Sequence, residues 1–391
     1  MLTKRRAVSI GFLLFGIVAG SLLPRIPALK ENLHLTDGEV GIAFLAYAVG
    51  AVVGAGVARP ALGRGARMPA RISVLVMCAA LIAPALAPSF ALLAVAFLAG
   101  GLCAGFLDPL LNAQAAEIER DAGRPMINGF HAYWSLGSIV GSVIAAGAAA
   151  LSVSPAIHFT AIALVLAALS VPLLAGLPDT RGGAATLLPA GTGRFGIGTA
   201  LTAVAALAFL GIVIESAGGD WSAIYLRDFG HAPQDVAALG FAALSAAMTA
   251  VRFTADRLTA MSSARVVAAL SGLVSAAGFA VAIAFPSPPA AILGFALVGV
   301  GAAAMVPLSF SAAANLDRAG NALSFVTAVG YASSILSPPL IGASADRFGL
   351  RLAMLIPTAA GLGVLAMMAG TRVLSKRTPR RLADAPERVE S

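Results

Sequence analysis

Asp108 and Asn112 stand one helical turn apart inside an apolar run, and His131 opens the next such run. A spacing of four puts the carboxylate and the amide on one helix face. A carboxylate there can bind and release a proton, an amide beside it can hydrogen-bond a polar solute, and an imidazole titrates near neutral pH. The carboxylate and the imidazole could relay a proton, with the amide as a solute contact. The competing reading is packing, with Asp108 hydrogen-bonded to neighbouring helices and His131 a structural histidine at a helix end. Pro109 follows the carboxylate, and Gly100, Gly101 and Gly105 precede it. Such residues loosen a helix and can free carbonyls toward a cavity. Glu215 is the third candidate for proton coupling. It precedes Gly218-Gly219, where the sequence predicts a broken or unwound helix end that Asp220, Trp221 and Tyr225 extend.

The candidates for binding a solute are Asn112, Gln114, Trp134, Asp220, Trp221 and Arg25. Trp134 offers a ring face to stack on, or a membrane-interface anchor. Arg25 could attract an anionic solute, pair with Glu215 or Asp220, or snorkel to the interface. Gln114 and Glu117 also read as gate or loop contacts, and Arg227 and Asp228 as loop charges.

Twelve apolar runs must position these residues. They lie at about 7–27, 39–58, 71–87, 90–115, 127–151 and 155–177, then 197–217, 236–256, 265–285, 289–313, 321–343 and 351–373. Each is near the roughly 20 residues that a spanning helix needs, and too long for an alternating barrel strand. Of the 391 residues 59% are hydrophobic and only 11% charged, with mean hydropathy +0.91. That excludes a soluble surface. The chain reads as an all-α polytopic membrane protein. An ionisable group inside a bilayer is costly and faces the bundle interior or a wet cavity. Asp108, about 18 residues into its run at ~1.5 Å per residue, falls past the midplane.

The net charge of +8 is a topology signal. With the N-terminus inside, only Arg25, Lys30, Arg227, Arg347 and Arg351 of the 26 basic residues fall toward the outer face. That asymmetry predicts both termini in the cytoplasm of a cell (inner) membrane, and no nucleic-acid partner. Cys78 and Cys103 read as small packing residues. His34, His131, His158 and His231 are scattered, so no metal site is expected. No G-x-x-x-x-G-K-[ST] occurs, so no nucleotide or other cofactor is expected either. The first run lacks a small-residue cleavage site before Pro24-Arg25 and is read as a span.

The runs divide into an N-terminal bundle over 1–177, a cytoplasmic linker at 178–196, a C-terminal bundle over 197–374 and a disordered tail at 375–391. The halves look duplicated: Asn112 and the charged turn Glu117–Arg124 answer to Asn315 and the turn Asp317–Gly320. Repeats of this kind place a site at the midplane between them. On this layout the chain carries Pro24-Arg25-Ile26-Pro27, then Asp108-Pro109 with Asn112-Ala113-Gln114. Phe130-His131-Ala132-Tyr133-Trp134-Ser135 and Asp220-Trp221-Ser222 follow. In this order the motifs resemble the major facilitator superfamily, most of all its YbjJ-like branch near the fucose-permease-type sugar symporters, over nearly the full length.

The resemblance implies two pseudo-symmetric six-helix bundles and a cytoplasmic gate. The gate signature is partly kept: Arg59 and Arg64 after the second run, with Ala58 where an Asp is expected, and Arg252, Asp256 and Arg257 after the eighth. Asp346-Arg347 looks like a third copy but falls on the outer side, where it reads as an ordinary turn. The expected function is secondary active transport of a small solute by alternating access, as proton-coupled uptake of a sugar or polar metabolite, by a monomer in a lipid bilayer. The alternatives are a proton-antiport exporter of drugs or metabolites and, in another class, a membrane-embedded sensor or enzyme. Enzymatic change of the solute is not expected.

Overall fold

The computed structural model describes residues 2–123, 126–181, 198–285, 287–316 and 321–371; within them the side chains of 2, 128 and 254–261 are not described. The described residues hold twelve helices long and apolar enough to cross a bilayer. The first six are α1 (Thr3–Leu33), α2 (Asp37–Arg64), α3 (Arg67–Leu86), α4 (Phe90–Ala122), α5 (Gly129–Ala150) and α6 (Pro155–Leu173). The last six are α7 (Thr199–Asp228), α8 (Gln234–Phe253), α9 (Ala264–Ala284), α10 (Pro288–Leu316), α11 (Asn321–Phe348) and α12 (Leu350–Gly370). Most of the expected linker, and the whole tail, lie outside the described residues.

Hydroxyl caps set several helix starts. Thr36 Oγ1 accepts from the Glu39 amide at 3.2 Å while Glu39 Oε2 accepts from the Thr36 amide at 2.9 Å, a closed capping box. Ser89, Ser154 and Ser263 cap α4, α6 and α9 in the same sense.

Three helices depart from the expected boundaries. α2 runs through Pro60 to Arg64, so the expected loop after the second run is its last helical turn. The bend follows at Gly65, whose φ of +127° is open only to glycine. α7 is continuous from Thr199 to Asp228, with no break at Gly218-Gly219. The glycine serves packing: a Cβ at 218 would come within 3.1 Å of Val298 and closer still to Leu244. Interruptions lie instead at the 3-10 turn Leu23–Arg25 of α1 and at Met354 of α12, and α10 breaks at Ala303–Ala304. Pro307 explains this last break, because its ring lacks an N–H and clashes with the carbonyl four residues back, that of Ala303.

Small residues carry the tightest crossings. Gly50 and Gly54 of α2 face the backbone of α4 at Leu98 and Leu102, while Gly101 and Gly105 of α4 face the α2 carbonyls of Tyr47 and Ala51. Gly16 and Gly20 of α1 pair with Gly137 and Gly141 of α5 in the same way. Reciprocal G-x-x-x-G faces let backbones touch, which is how helices associate where lipid removes the hydrophobic drive. The outer surface is accordingly apolar: Leu86, Ile157 and Leu164 are each 65% exposed, facing lipid. Cys78 and Cys103 are buried free thiols.

The first six helices pack mainly on one another, as do the last six. They meet along two seams, α2 against α11 and α5 against α8. Near the start of α2 the contact is close: a Cβ on Gly41 would sit 2.7 Å from the Pro338 carbonyl oxygen, and one on Gly342 2.5 Å from that of Asp37.

Candidate solute cavity and its charged flanks

A cavity of about 400 Å³ opens between the halves. Its wall from the first six helices is aromatic, with Phe44 and Tyr47 of α2, Phe97 of α4 and Trp134 of α5. Phe44 and Phe97 meet edge to face at 5.8 Å between centroids, and Trp134 meets Phe15 likewise at 6.3 Å. The facing wall carries Glu215, Asp220, Phe241 and Met248 from α7 and α8. Ser216, Ser245 and Ser334 add hydroxyls.

The two acids differ. Glu215 accepts from Arg252 Nη2 at 3.2 Å, both groups half-buried. Asp220 has no hydrogen bond or ion pair to any described residue. The Tyr47 phenol lies within electrostatic reach of both Asp220 and Asp108.

Asp108 lies beyond the cavity wall and heads a short chain. Asn112 Nδ2 donates to Asp108 Oδ1 at 3.0 Å and to its carbonyl at 2.9 Å. The amide oxygen is thereby left to accept, and it faces His131 Nε2 at 3.1 Å. Nε2 therefore carries the proton in this arrangement. The Phe12 ring lies tilted against His131, with centroids 5.1 Å apart. Two residues of the last six helices reach this chain electrostatically: Tyr331 of α11 at Asp108 and Arg252 of α8 at His131.

At the face away from the termini, polar ties join the halves. Lys30 Nζ donates to Asp37 at 2.6 Å and to Asp228 across the seam. Arg227 pairs with Glu31, which also accepts from Gln234 Nε2 at 3.1 Å. Thr36 Oγ1 donates to Asp346 at 3.0 Å. At the termini face the ties among the described residues stay within one half. Lys4 lies 3.9 Å from Glu117, Arg67 Nε donates to the Leu177 carbonyl at 2.6 Å, and Arg265 reaches the Met368 and Ala369 carbonyls. The cavity is thus tied shut on one side.

Several expectations need correction. Glu215 sits mid-helix, because α7 continues beyond it to Asp228. Trp221 is fully buried behind the wall, edge-on to Phe44 at 6.0 Å, and Tyr225 is buried with its hydroxyl donating to the Ala282 carbonyl at 2.7 Å. Neither lines the cavity. Arg25 is only 2% exposed and donates from Nη2 to the Val153 carbonyl at 2.6 Å, away from Glu215 and Asp220. Gln114 is buried too, its Nε2 donating to the Pro178 carbonyl at 2.9 Å, so it braces the end of the first half. Arg252 belongs to the interior, paired with Glu215, and not to a loop gate. Arg227, Asp228 and Asp346 are cross-half ties, not free turn charges. Arg59 and Arg64 are exposed on the last turns of α2, without an ion pair among the described residues. Asp256 and Arg257 lie outside the described side chains. The cavity does bring together Trp134, Glu215 and Asp220, and places the Asp108–Asn112–His131 chain on its flank.

Sequence reasoning missed Phe44, Tyr47, Phe97, Phe241 and Met248. An aromatic or Met in an apolar run has no contrast with its neighbours, and nothing local tells a cavity-facing ring from a lipid-facing one.

The family model for the Major Facilitator Superfamily matches residues 8–338. An uncharacterized transporter, y4wD of Sinorhizobium fredii, is 33% identical over 368 residues, covering 91% of this chain and 95% of its own. The membrane protein MosC of Rhizobium meliloti is 30% identical, covering 91% of this chain and 87% of its own. Among solved structures, the nucleoside transporter NupG superposes with TM-score 0.71 at 15% identity, over 94% of this chain and 99% of that one. A D-xylose-proton symporter superposes with TM-score 0.72 at 16% identity, over 94% and 97%. At that identity the likeness shows the fold. The twelve apolar helices, the cavity between their two sets and these matches make the chain a multi-pass membrane protein of the major facilitator superfamily.

Proposed function

We propose that this chain is a proton-coupled carrier that takes up a small polar metabolite by alternating access. The observation behind the reading is the cavity between the halves, tied shut by ion pairs at one face and flanked by the Asp108–Asn112–His131 chain. The two sets of six helices would rock as bundles 1–177 and 197–374 about the α2–α11 and α5–α8 seams. The bias of basic residues toward the termini face supports cytoplasmic termini, here in an inner membrane, which would make the tied face the outer one. The chain would then be in its inward-facing state. Asp108 would take the proton, with Asn112 hydrogen-bonding its carboxyl group and His131 as a second proton-binding group, while Glu215 exchanges between Arg252 and a proton. Trp134 and Asp220 would contact the solute. The fold-level likeness to a D-xylose-proton symporter, and the motifs shared with the YbjJ-like branch, support symport of a sugar-like solute. One chain holds the whole cavity, which supports a functional monomer, and the likeness to transporter relatives supports movement of the solute without chemical change.

Export by proton antiport is the second reading, favoured by the aromatic and apolar share of the cavity wall. A proton-flux assay separates the two. The purified protein is placed in liposomes with a pH dye trapped inside, and a panel of sugars and small metabolites is added outside. Solute-dependent acidification that vanishes in Asp108→Asn is the expected result. Alkalinisation would mean antiport. Labelled solute entering without proton movement would overturn the coupling.

A further inference from the structure

The charges of the cavity do not balance. Glu215 is matched by Arg252, whereas Asp220 reaches the same space with no described partner. A carboxylate enclosed without a counter-charge is strongly disfavoured, so on occlusion Asp220 must either take up a proton or meet a positive charge beside it. Asp108, the proton-binding candidate, has a donor in Asn112 and lies outside the cavity; Asp220 has neither feature. The neighbouring surfaces suit a cation as well. The Phe241 ring comes within 3.7 Å of a Cβ position on Gly219, so it lies against the backbone next to the carboxylate. Tyr47, Phe44 and Trp134 complete an aromatic wall, whose ring faces carry negative potential. A neutral solute would leave Asp220 to be neutralised by a proton alone, without using the aromatic wall, and an anionic one would be repelled by the acid and the rings alike.

We propose that the solute carries a protonated amine, with Asp220 as its counter-charge and the cavity aromatics as its cation–π partners. This deepens the transport reading and rests on it for the word solute, but the binding claim stands apart. Ser216, Ser245 and Ser334 on the same walls would take the solute's hydroxyl groups.

The test uses matched probes that differ by ammonium against hydroxyl: D-glucosamine and D-glucose, D-galactosamine and D-galactose, tyramine and tyrosol. Binding to the purified full chain is read by thermal-shift titration. At least one amine should bind about tenfold or more tightly than its neutral mate, the fold-change of one charge-assisted hydrogen bond. Asp220→Asn should abolish that preference, and Asp220→Glu should retain it in part. Asp220→Asn should also raise the ligand-free melting temperature, since it removes an unpaired charge; this shows the variant is folded. Neutral probes binding as tightly as amines, a preference that survives in Asp220→Asn, or no amine binding at all would each overturn the proposal. Liposome flux of the same probes keeps the two readings distinct. Flux of neutral sugars alone leaves the carrier and refutes the amine, whereas amine binding without any flux does the reverse.

Discussion

Lys30 is the pivot of the tied face, and its removal should open the protein there. Its ammonium lies between Asp37 of its own half and Asp228 of the other, with side-chain exposures of 15%, 15% and 31%. These are neither free surface pairs nor fully buried ones. Lys30→Met keeps the apolar stem and deletes the charge, leaving Asp37 to face Asp228 and Asp346, both within electrostatic reach. An exposed pair is worth about 0–1 kcal/mol, and uncompensated like charges in a half-buried site add to that. We expect a loss of about 1–2 kcal/mol from the conformation closed at this face, a shift of roughly 5- to 30-fold in its population. Spin labels at Asn32 and Phe348, one in each half and both exposed, would read the distance between halves. Lys30→Met should move the distribution toward longer distances. Asp228→Asn should do so less, because Lys30 keeps Asp37. An unchanged distribution in Lys30→Met would show that α2–α11 packing alone closes this face, and the electrostatic reasoning would fail.

Three further outcomes follow from packing and connectivity. Gly105→Leu puts a side chain onto the Ala51 carbonyl and must force α2 from α4, a loss of about 1–3 kcal/mol or more in unfolding assays, whereas Gly56→Ala, with nothing nearby, should stay within about 0.5 kcal/mol. Trp221→Ala should cost about 3–5 kcal/mol as a buried cavity mutation, yet leave the ranking of solutes unchanged; a changed ranking would place Trp221 in the site after all. Asn112→Leu cuts the link between Asp108 and His131, so proton-driven accumulation should fall by about 5- to 150-fold, read as the steady-state solute ratio across liposomes.

The bilayer made the architecture legible. Lipid demands long apolar runs, and the run lengths alone gave the number and order of the helices. It also made Asp108, Asn112 and His131 visible, because polar groups at that depth stand out against their surroundings. α7 was cut short for the same reason in reverse. Glu215, Asp220 and the double glycine lower the local hydropathy and read as an ending, although the acids face a cavity and Gly218 packs against Leu244. Ties such as Lys30–Asp228 and Arg227–Glu31 join residues about 200 positions apart, a pairing that no local pattern encodes. The G-x-x-x-G faces at Gly16–Gly20, Gly50–Gly54, Gly101–Gly105 and Gly137–Gly141 were written in the sequence, and their partners emerged only with the fold.

On the proposed reading, the Asp108 chain couples protons to a solute held elsewhere, in the cavity. Counterflow separates coupling from binding. Liposomes holding Asp108→Asn are loaded with unlabelled solute, and labelled solute is added outside, first without and then with a proton gradient. Exchange should persist while gradient-driven accumulation is lost. Loss of both would make Asp108 a solute or packing residue, and retention of both would remove it from the coupling path.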